Sequence, residues 1–105
     1  MITDVELSVI SNYCYSVQRG KPCALTPIKT VYLESAEKIV KEMGLFFYSK
    51  TMTDQWSELW IFKYPEIENF IKQLPDRPKS DFDHFINGLV FGYSIDSIIQ
   101  FIRGK

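Results

Sequence analysis

The stretch that decides the fold is LFFYSKTMTDQWSELWIFKY, residues 45–64. Its two ends, residues 45–49 and 56–64, are rich in aromatic and bulky apolar side chains, a composition typical of β-strands. Residues 51–55 join them and contain neither Asn-Gly nor Asp-Gly, the pairs that favour tight two-residue turns. The pattern predicts an antiparallel β-hairpin with a longer loop.

Both faces of this hairpin carry apolar side chains. In its second strand Trp56, Trp60 and Phe62 alternate with Leu59 and Ile61. A sheet with one face in water should instead alternate apolar with polar residues, and a two-stranded sheet leaves both outer edges unpaired. We therefore expect the hairpin either to lie between helices or to present its aromatic residues to another chain.

Capping patterns predict where three helices begin. Thr3 with Glu6, and Ser80 with Asp83, each form a capping box, in which the two residues satisfy each other's free backbone amides. Ser94 stands before an apolar run with helical spacing and is a third cap. These patterns predict one helix at the N-terminus and two helices after residue 79.

A further helix is predicted between the first helix and the hairpin. Thr26 would cap it, Pro27 would occupy its first position, and Gly44 would end it. Residues 21–26 then read as a connection. A strand over residues 30–33, followed by a shorter helix, is the alternative.

Prolines bound the remaining helix. Pro65 opens it, and Pro75 and Pro78 end it. The predicted order is α-α-β-β-α-α-α, with one antiparallel hairpin packed on helices. We expect a single domain over residues 1–105 that belongs to the α+β class.

Composition narrows the class of protein. The 105 residues include 12 Lys and Arg against 13 Asp and Glu, a net charge of −1, whereas a nucleic-acid binder carries an excess of positive charge. Eight Phe, six Tyr and two Trp provide material for a core. The N-terminus has no signal-peptide pattern and no run is long enough to span a bilayer, so we expect a cytoplasmic protein with reduced thiols.

No motif predicts catalysis, a cofactor or a metal site. The chain has one histidine, His84, and two cysteines, Cys14 and Cys23, with spacing that matches neither a redox pair nor a zinc ligand set. Nothing in the sequence brings a thiol and the imidazole together. We therefore expect that the protein is not an enzyme.

Residues 85–103 resemble a helix-turn-helix. Gly88, Gly92, Ile98 and Phe101 occupy the positions at which that motif has small, turn and apolar residues. The would-be recognition helix, however, offers Arg103 as its one basic residue, whereas DNA reading needs several groups that reach bases and phosphates. DNA binding is accordingly an alternative rather than the first hypothesis.

Two sets of residues are candidates for partner binding. One is the aromatic face of the hairpin, and the other is the face of the Ser80 helix opposite its apolar stripe, at helical spacing. The candidates are Tyr48, Trp56, Trp60, His84, Asn87 and Phe91.

In its size, its aromatic richness and its ending NGLVFGYS (residues 87–94), the chain resembles the small proteins of phages and mobile elements of Gram-positive bacteria. The resemblance implies binding and inhibition of a host or defence protein. Our first hypothesis is a non-catalytic module that binds another protein or itself. The alternatives are a DNA-binding regulator that uses residues 85–103 and a sensor with a small-molecule or nucleotide pocket between hairpin and helices.

Overall fold

The computed structural model describes residues 2–74 and 78–104, which form three strands, five α-helices and one 3₁₀ turn. In chain order the elements are α1 (Asp4–Gln18), β1 (Cys23–Lys29), the 3₁₀ turn (Thr30–Tyr32), α2 (Leu33–Glu42), β2 (Phe46–Thr51), β3 (Trp56–Phe62), α3 (Ile67–Gln73), α4 (Asp81–Val90) and α5 (Ile95–Arg103). The α+β class is confirmed. The predicted element order is wrong at one place, where a strand replaces the start of a helix.

The sheet has three antiparallel strands in the order β1-β3-β2. The predicted hairpin is present as β2 and β3, joined by residues 52–55. The third strand, β1, pairs with the other edge of β3, so that Leu25 and Tyr48 lie on either side of Trp60. The prediction of a two-stranded sheet was therefore wrong, because β1 covers one of the two edges that the hairpin would leave open.

The prediction of a helix that begins at Thr26 was wrong, as was that of a connection over residues 21–26. Residues 23–29 form a strand in which Ala24, Thr26 and Ile28 are buried. This burial repeats every second residue, as in a strand with one covered face. Pro27 lies in an edge strand, where a residue without an amide hydrogen is tolerated. The alternative strand over 30–33 is also wrong, because that segment is the 3₁₀ turn and the start of α2.

The helix caps predicted at Thr3, Ser80 and Ser94 are confirmed, in contrast to the one predicted at Thr26. The Thr3 hydroxyl accepts the Glu6 amide at 3.2 Å, and the Ser80 hydroxyl accepts the Asp83 amide at 3.1 Å. Both boxes are reciprocal. Ser94 caps α5 without the return partner. These ends follow from local chemistry, since a side-chain oxygen satisfies amides that have no partner inside the helix.

Helices α1 and α2 cover one face of the sheet. Leu59 and Ile61 of β3 are fully buried there, in contact with both helices' apolar stripes. The core consists of Ile10, Cys14, Val17, Ala24, Ile28, Ala36, Val40, Leu45, Leu59 and Ile61. The sequence alternation predicted that Leu59 and Ile61 lie on the same face of β3. The structure confirms this, because both side chains are buried in this core.

The second face is covered by α3 and by the end of α4. Its smaller core is Cys23, Phe62 and Ile71, with Tyr48, Trp60, Ile67, Val90 and Phe91 partly buried around it. Helix α3 follows Pro65 as predicted, and Pro78 follows α3; the predicted stop at Pro75 lies outside the described residues. The hairpin is thus covered by helices on both faces, although unequally.

Helices α4 and α5 pack directly against each other. Gly92 between them has φ +80°, a left-handed conformation that glycine adopts at no steric cost. At Gly88 the helices approach so closely that an added Cβ would lie 2.5 Å from Cγ1 of Ile98. A glycine at this position therefore permits the crossing.

Candidate functional site

Three of the predicted partner-binding residues meet on the second face of the sheet. Tyr48 and Trp60 are cross-strand neighbours. The Trp60 ring stacks on Phe91, which follows α4 directly, with 5.6 Å between ring centroids and 15° between planes. All three are partly buried against the small core. The stacking of Trp60 on Phe91 holds the end of α4 against the sheet.

A cleft of about 200 Å³ lies beside this aromatic row, between the sheet, α3 and α4. We call it the sheet cleft. Lys72 closes one side, with its ammonium 5.5 Å from the Tyr48 ring centroid and 3.2 Å from the Glu68 carboxylate. The lining residues are Leu25, Tyr48, Lys50, Met52, Glu58, Trp60, Ile71, Lys72, Leu74, Pro78 and Asn87. Such a mixture of aromatic floor and polar wall can hold a small planar molecule.

Trp56 does not join these residues. It begins β3 beside the loop of the hairpin, where its carbonyl accepts the amides of Met52 and Thr53 at 3.0 Å. Its own amide donates to the Thr53 hydroxyl at 3.0 Å. The side chain is exposed. Trp56 is therefore available to a partner, but at the opposite end of β3 from Phe62, which lies in the small core.

His84 and Asn87 line a second cleft, of about 390 Å³, between α4 and α5. The His84 ring lies 5.3 Å from the Phe101 ring, centroid to centroid. The other lining residues are Gly88, Tyr93, Ser97, Ile98 and Phe101. The face of α4 opposite its apolar stripe is thus the face that packs on α5.

The carboxamide oxygen of Asn87 is buried and accepts no hydrogen bond from any described residue. Asn87 borders both clefts, since it lies between the sheet and α5. An unmatched buried acceptor costs about 1–3 kcal/mol. The packing of α4 therefore leaves one polar group unpaired at the point where the helix meets both clefts.

The apolar stripe of α4, predicted to consist of Phe82, Phe85, Ile86, Leu89 and Val90, is only partly covered. Phe82 is 70% exposed and Leu89 40%, and Phe70 of α3 is 57% exposed. Together they border a groove of about 410 Å³, here called the α3–α4 groove, lined by Phe70, Gln73, Leu74, Phe82, Asp83, Ile86, Leu89 and Val90. Exposed aromatic and aliphatic residues that share one groove are the usual sign of a protein-binding surface.

Phe70, Phe82 and Leu89 were not predicted from the sequence as surface residues. A signal was present in the sequence. Three short helices follow a sheet that is too narrow to cover three apolar stripes, so one stripe must remain open. Helical periodicity shows which residues share a stripe but not whether another element covers it.

The two thiols are unsuited to nucleophilic chemistry. Burial raises the pKa of Cys14 to about 11 and that of Cys23 to about 12. The Cys23 sulfur donates to the Val90 carbonyl at 3.3 Å. Both thiols are free and protonated at neutral pH, and a thiol, unlike a thiolate, is a poor nucleophile and metal ligand.

Residues 85–103 have part of the geometry of a helix-turn-helix. Two helices cross at Gly88 and Ile98 and are joined by the left-handed Gly92. The exposed polar side chains of α5 are Asp96, Ser97, Gln100 and Arg103. One cation on this helix provides little attraction for phosphates.

Within residues 2–74 and 78–104, no group of three or more His, Cys, Asp or Glu side chains could hold a metal ion. None of the helices described is sufficiently long and apolar to cross a membrane. Comparison of the sequence with protein-family models and with curated protein sequences finds no match. Functional inference therefore depends on the chain's own surfaces.

Proposed function

We propose that this protein is a non-catalytic module that binds another protein, or a second copy of itself, through the apolar surface of its C-terminal helices. The observation that supports this is the exposure of two residues of the α4 stripe, Phe82 and Leu89, beside Phe70 of α3. Apolar stripes of small proteins normally face the core. Aromatic residues, phenylalanine included, are enriched in the buried cores of protein interfaces.

The exposed apolar side chains of this surface would supply part of the free energy that a specific complex needs. Phenylalanine buries about 150–250 Å² when it is covered completely. More than half of each of Phe70 and Phe82 is exposed, so covering both would remove about 200 Å² from water, worth about 5 kcal/mol at 25 cal/mol per Å². The loss of translational and rotational freedom on association costs about 4–15 kcal/mol, which offsets most or all of this gain. Contacts at the remaining residues of the groove would add to the affinity.

The biological role that we propose is inhibition of a host or defence protein by a phage-type or mobile-element protein. Its support is the resemblance of residues 87–94 and of the general composition to such proteins. A protein of this kind needs one binding surface and no catalytic group. The buried, protonated Cys14 and Cys23 are consistent with that role.

The test combines light scattering with affinity capture from a host lysate. The purified protein is compared with the double variant Phe82→Ser/Leu89→Ser and with Val31→Ser, which changes another exposed apolar residue, in the 3₁₀ turn. We expect the wild type and Val31→Ser either to capture one protein stoichiometrically or to form a dimer. The double variant should remain folded and lose that complex. Equal binding by all three proteins would contradict the proposal.

A second candidate function is binding of a small planar molecule in the sheet cleft. The specific observation is the convergence of Tyr48, Trp60 and Asn87 with two lysines and a glutamate around one cleft. In a thermal-shift screen of nucleobases and nucleotides, a ligand of the native state should raise the melting temperature. In a Trp56→Phe background the remaining Trp60 fluorescence should also change. A screen without either response would exclude this function for the compounds tested.

The DNA-binding alternative has less support than either. The close crossing of α4 and α5 favours it, and Asp81, Asp83 and Asp96 against Arg103 oppose it. A gel-shift titration at low salt tests it directly, because the electrostatic part of DNA affinity is largest there. Binding no stronger than that of an acidic control protein would exclude it.

A further inference from the structure

We infer that the α3–α4 groove receives an amphipathic helix with basic flanks from the partner protein. This inference rests on the proposed binding function and specifies its partner. It depends on two features of the groove, its shape and the charges around it.

The groove has the shape that accepts one helix. Its two walls are themselves helices, α3 and α4, and the 10 residues of α4 extend about 15 Å at 1.5 Å per residue. Phe82, Ile86 and Leu89 recur along α4 at i, i+4 and i+7 and lie in the groove. Helices that dock into such grooves present apolar anchors at the same spacing, so that ridges of one helix fill spaces of the other.

Among the described residues, the charged side chains that line the groove or adjoin its lining residues are mainly acidic. Asp83 lines the groove, Asp81 adjoins Phe82 at the start of α4, and Glu66 precedes Phe70 by one helical turn at the start of α3. The Asp83 carboxylate accepts the amides of Lys79 and Ser80 at 3.1 and 3.3 Å. It is therefore anionic at neutral pH.

The described cations near the groove do not cancel these acids. The ammonium of Lys72 is paired with Glu68 at 3.2 Å, which leaves Lys79 as the described basic residue beside the start of α4. Lysine or arginine on the flanks of the incoming helix would complement Glu66, Asp81 and Asp83. Charge complementarity of this kind selects partners and suppresses wrong ones.

The same charges argue against other occupants. A second copy of the chain would bring an acidic rim against an acidic rim, and like charges that face each other disfavour association. Nucleic acid would be repelled for the same reason. The groove therefore suits a basic helix better than it suits a second copy of the chain or DNA.

Two synthetic helical peptides test the inference with the full-length protein. Both carry leucine at i, i+3, i+4 and i+7; one has lysine at the flanking positions and the other has glutamate at the same positions. Fluorescence anisotropy measures the binding of each. We expect the lysine peptide to bind at least about tenfold more tightly than its glutamate twin. The difference should shrink between about 0.1 M and 1 M salt, since exposed charges are screened.

Three variants assign that binding to the groove. Phe82→Ser should weaken both peptides, because it removes an apolar anchor. Glu66→Lys/Asp81→Lys should reduce or reverse the preference for the lysine peptide while α4 keeps its Ser80 cap. Val31→Ser is the matched exposed control and should change neither affinity.

The inference is overturned if the two peptides bind equally, if neither binds, or if Phe82→Ser has no effect on the lysine peptide. It is also overturned if light scattering shows a dimer that Phe82→Ser dissociates, because a second copy then occupies the groove; the proposed binding function stands in that case. If a captured partner is retained by Phe82→Ser/Leu89→Ser, both this inference and the assignment of function to the C-terminal helices fail.

Discussion

The two faces of one sheet are covered very differently. Under α1 and α2, Leu59 and Ile61 of β3 are fully buried. On the other face the neighbouring Trp60 is only partly buried, and the helix above it exposes Phe82. The alternate residues of a single strand thus belong to a closed core on one side and to an incomplete one on the other. The difference shows that one face of the sheet forms a closed core, whereas the helices of the other face leave apolar side chains exposed.

Geometry explains the inequality. Three strands about 4.8 Å apart give a sheet about 10 Å wide between its outer strand axes. Helices pack about 8–10 Å apart, so each face accommodates about two helices. Helices α1 and α2 fill the first face. On the second face α3 and the end of α4 already contact the sheet, and α5 packs on α4 at Gly88 instead.

The largest expected effect is a difference in stability between a substitution in the core under α1 and α2 and one in the exposed stripe of α4. Leu59→Ala removes a fully buried side chain and should lower the free energy of unfolding by about 2–5 kcal/mol. Phe82→Ala removes a mostly exposed one and should change it by no more than about 0.5 kcal/mol. Urea denaturation measures both. A similar loss in Phe82→Ala would mean that α4 buries its stripe in solution.

The close crossing of α4 and α5 should be sensitive to one methyl group. Gly88→Ala places a Cβ against Ile98, and overpacking costs about 1–3 kcal/mol, offset by the roughly 1 kcal/mol that alanine gains over glycine in a helix. We expect a net loss of up to about 2 kcal/mol. In an Ile98→Ala background the same change should become stabilising. A double-mutant cycle without coupling would place the two residues apart.

The caps of α1 and α4 allow a matched comparison of how stable the two regions are. Thr3→Ala and Ser80→Ala each remove a hydroxyl that accepts a helix amide and should each cost about 1 kcal/mol by urea denaturation. If α4 unfolds separately, Ser80→Ala should shift an earlier transition and leave the main one unchanged. Identical single transitions in both variants would show that the regions unfold together.

Acid should act on α4 through Asp83. Two backbone amides, of Lys79 and Ser80, hold the pKa of this carboxyl below its ordinary value of 3.8. The charged form is thus favoured in the folded protein, and its stabilisation is complete above pH 3.8 and is lost as the pH falls through the lowered pKa. Asp83→Asn should reduce the dependence of stability on pH in that range. If the free energy of unfolding fell by the same amount between pH 5 and pH 2 in Asp83→Asn as in the wild type, this prediction would be wrong.

The smallest effect concerns the rate of thiol labelling. The pKa of Cys23, about 12, exceeds that of Cys14, about 11, and pKa alone would make Cys23 the slower to react. Cys23 is held under the end of α4 by the Val90 carbonyl, whereas Cys14 lies in the core beneath α1. Local opening of α4 should therefore expose Cys23 first.

Single-thiol variants provide the measurement. Labelling of Cys14→Ala, which retains Cys23, should be faster than labelling of Cys23→Ala in low urea. The rates should converge when the protein is unfolded. Faster labelling of Cys14 under native conditions would reverse the comparison and assign the weaker packing to α1.

For the surface of the C-terminal helices, the sequence predicted which residues are apolar but not which of them are exposed. Residues 85–103 stood out as apolar, and Gly88 and Gly92 stood out as a helix crossing, from the sequence alone. His84 and Asn87 were assigned to the face opposite the stripe, which the structure packs toward α5. Whether Phe82 points to the core or to water depends on distant elements, and local periodicity carries no information about them.

The sequence by itself determined the features that rest on neighbours in the chain. The capping boxes at Thr3 and Ser80, the hairpin at residues 45–64 and the two faces of β3 are set by hydrogen bonds and side-chain alternation within a few residues. Only the tertiary structure decided that residues 23–29 form a strand, because Thr26-Pro27 suits a helix start and an edge strand alike. These residues pair with the edge of β3 that the hairpin leaves free. The resulting three-stranded sheet is too narrow to cover all the helices, and part of the α4 stripe therefore remains exposed.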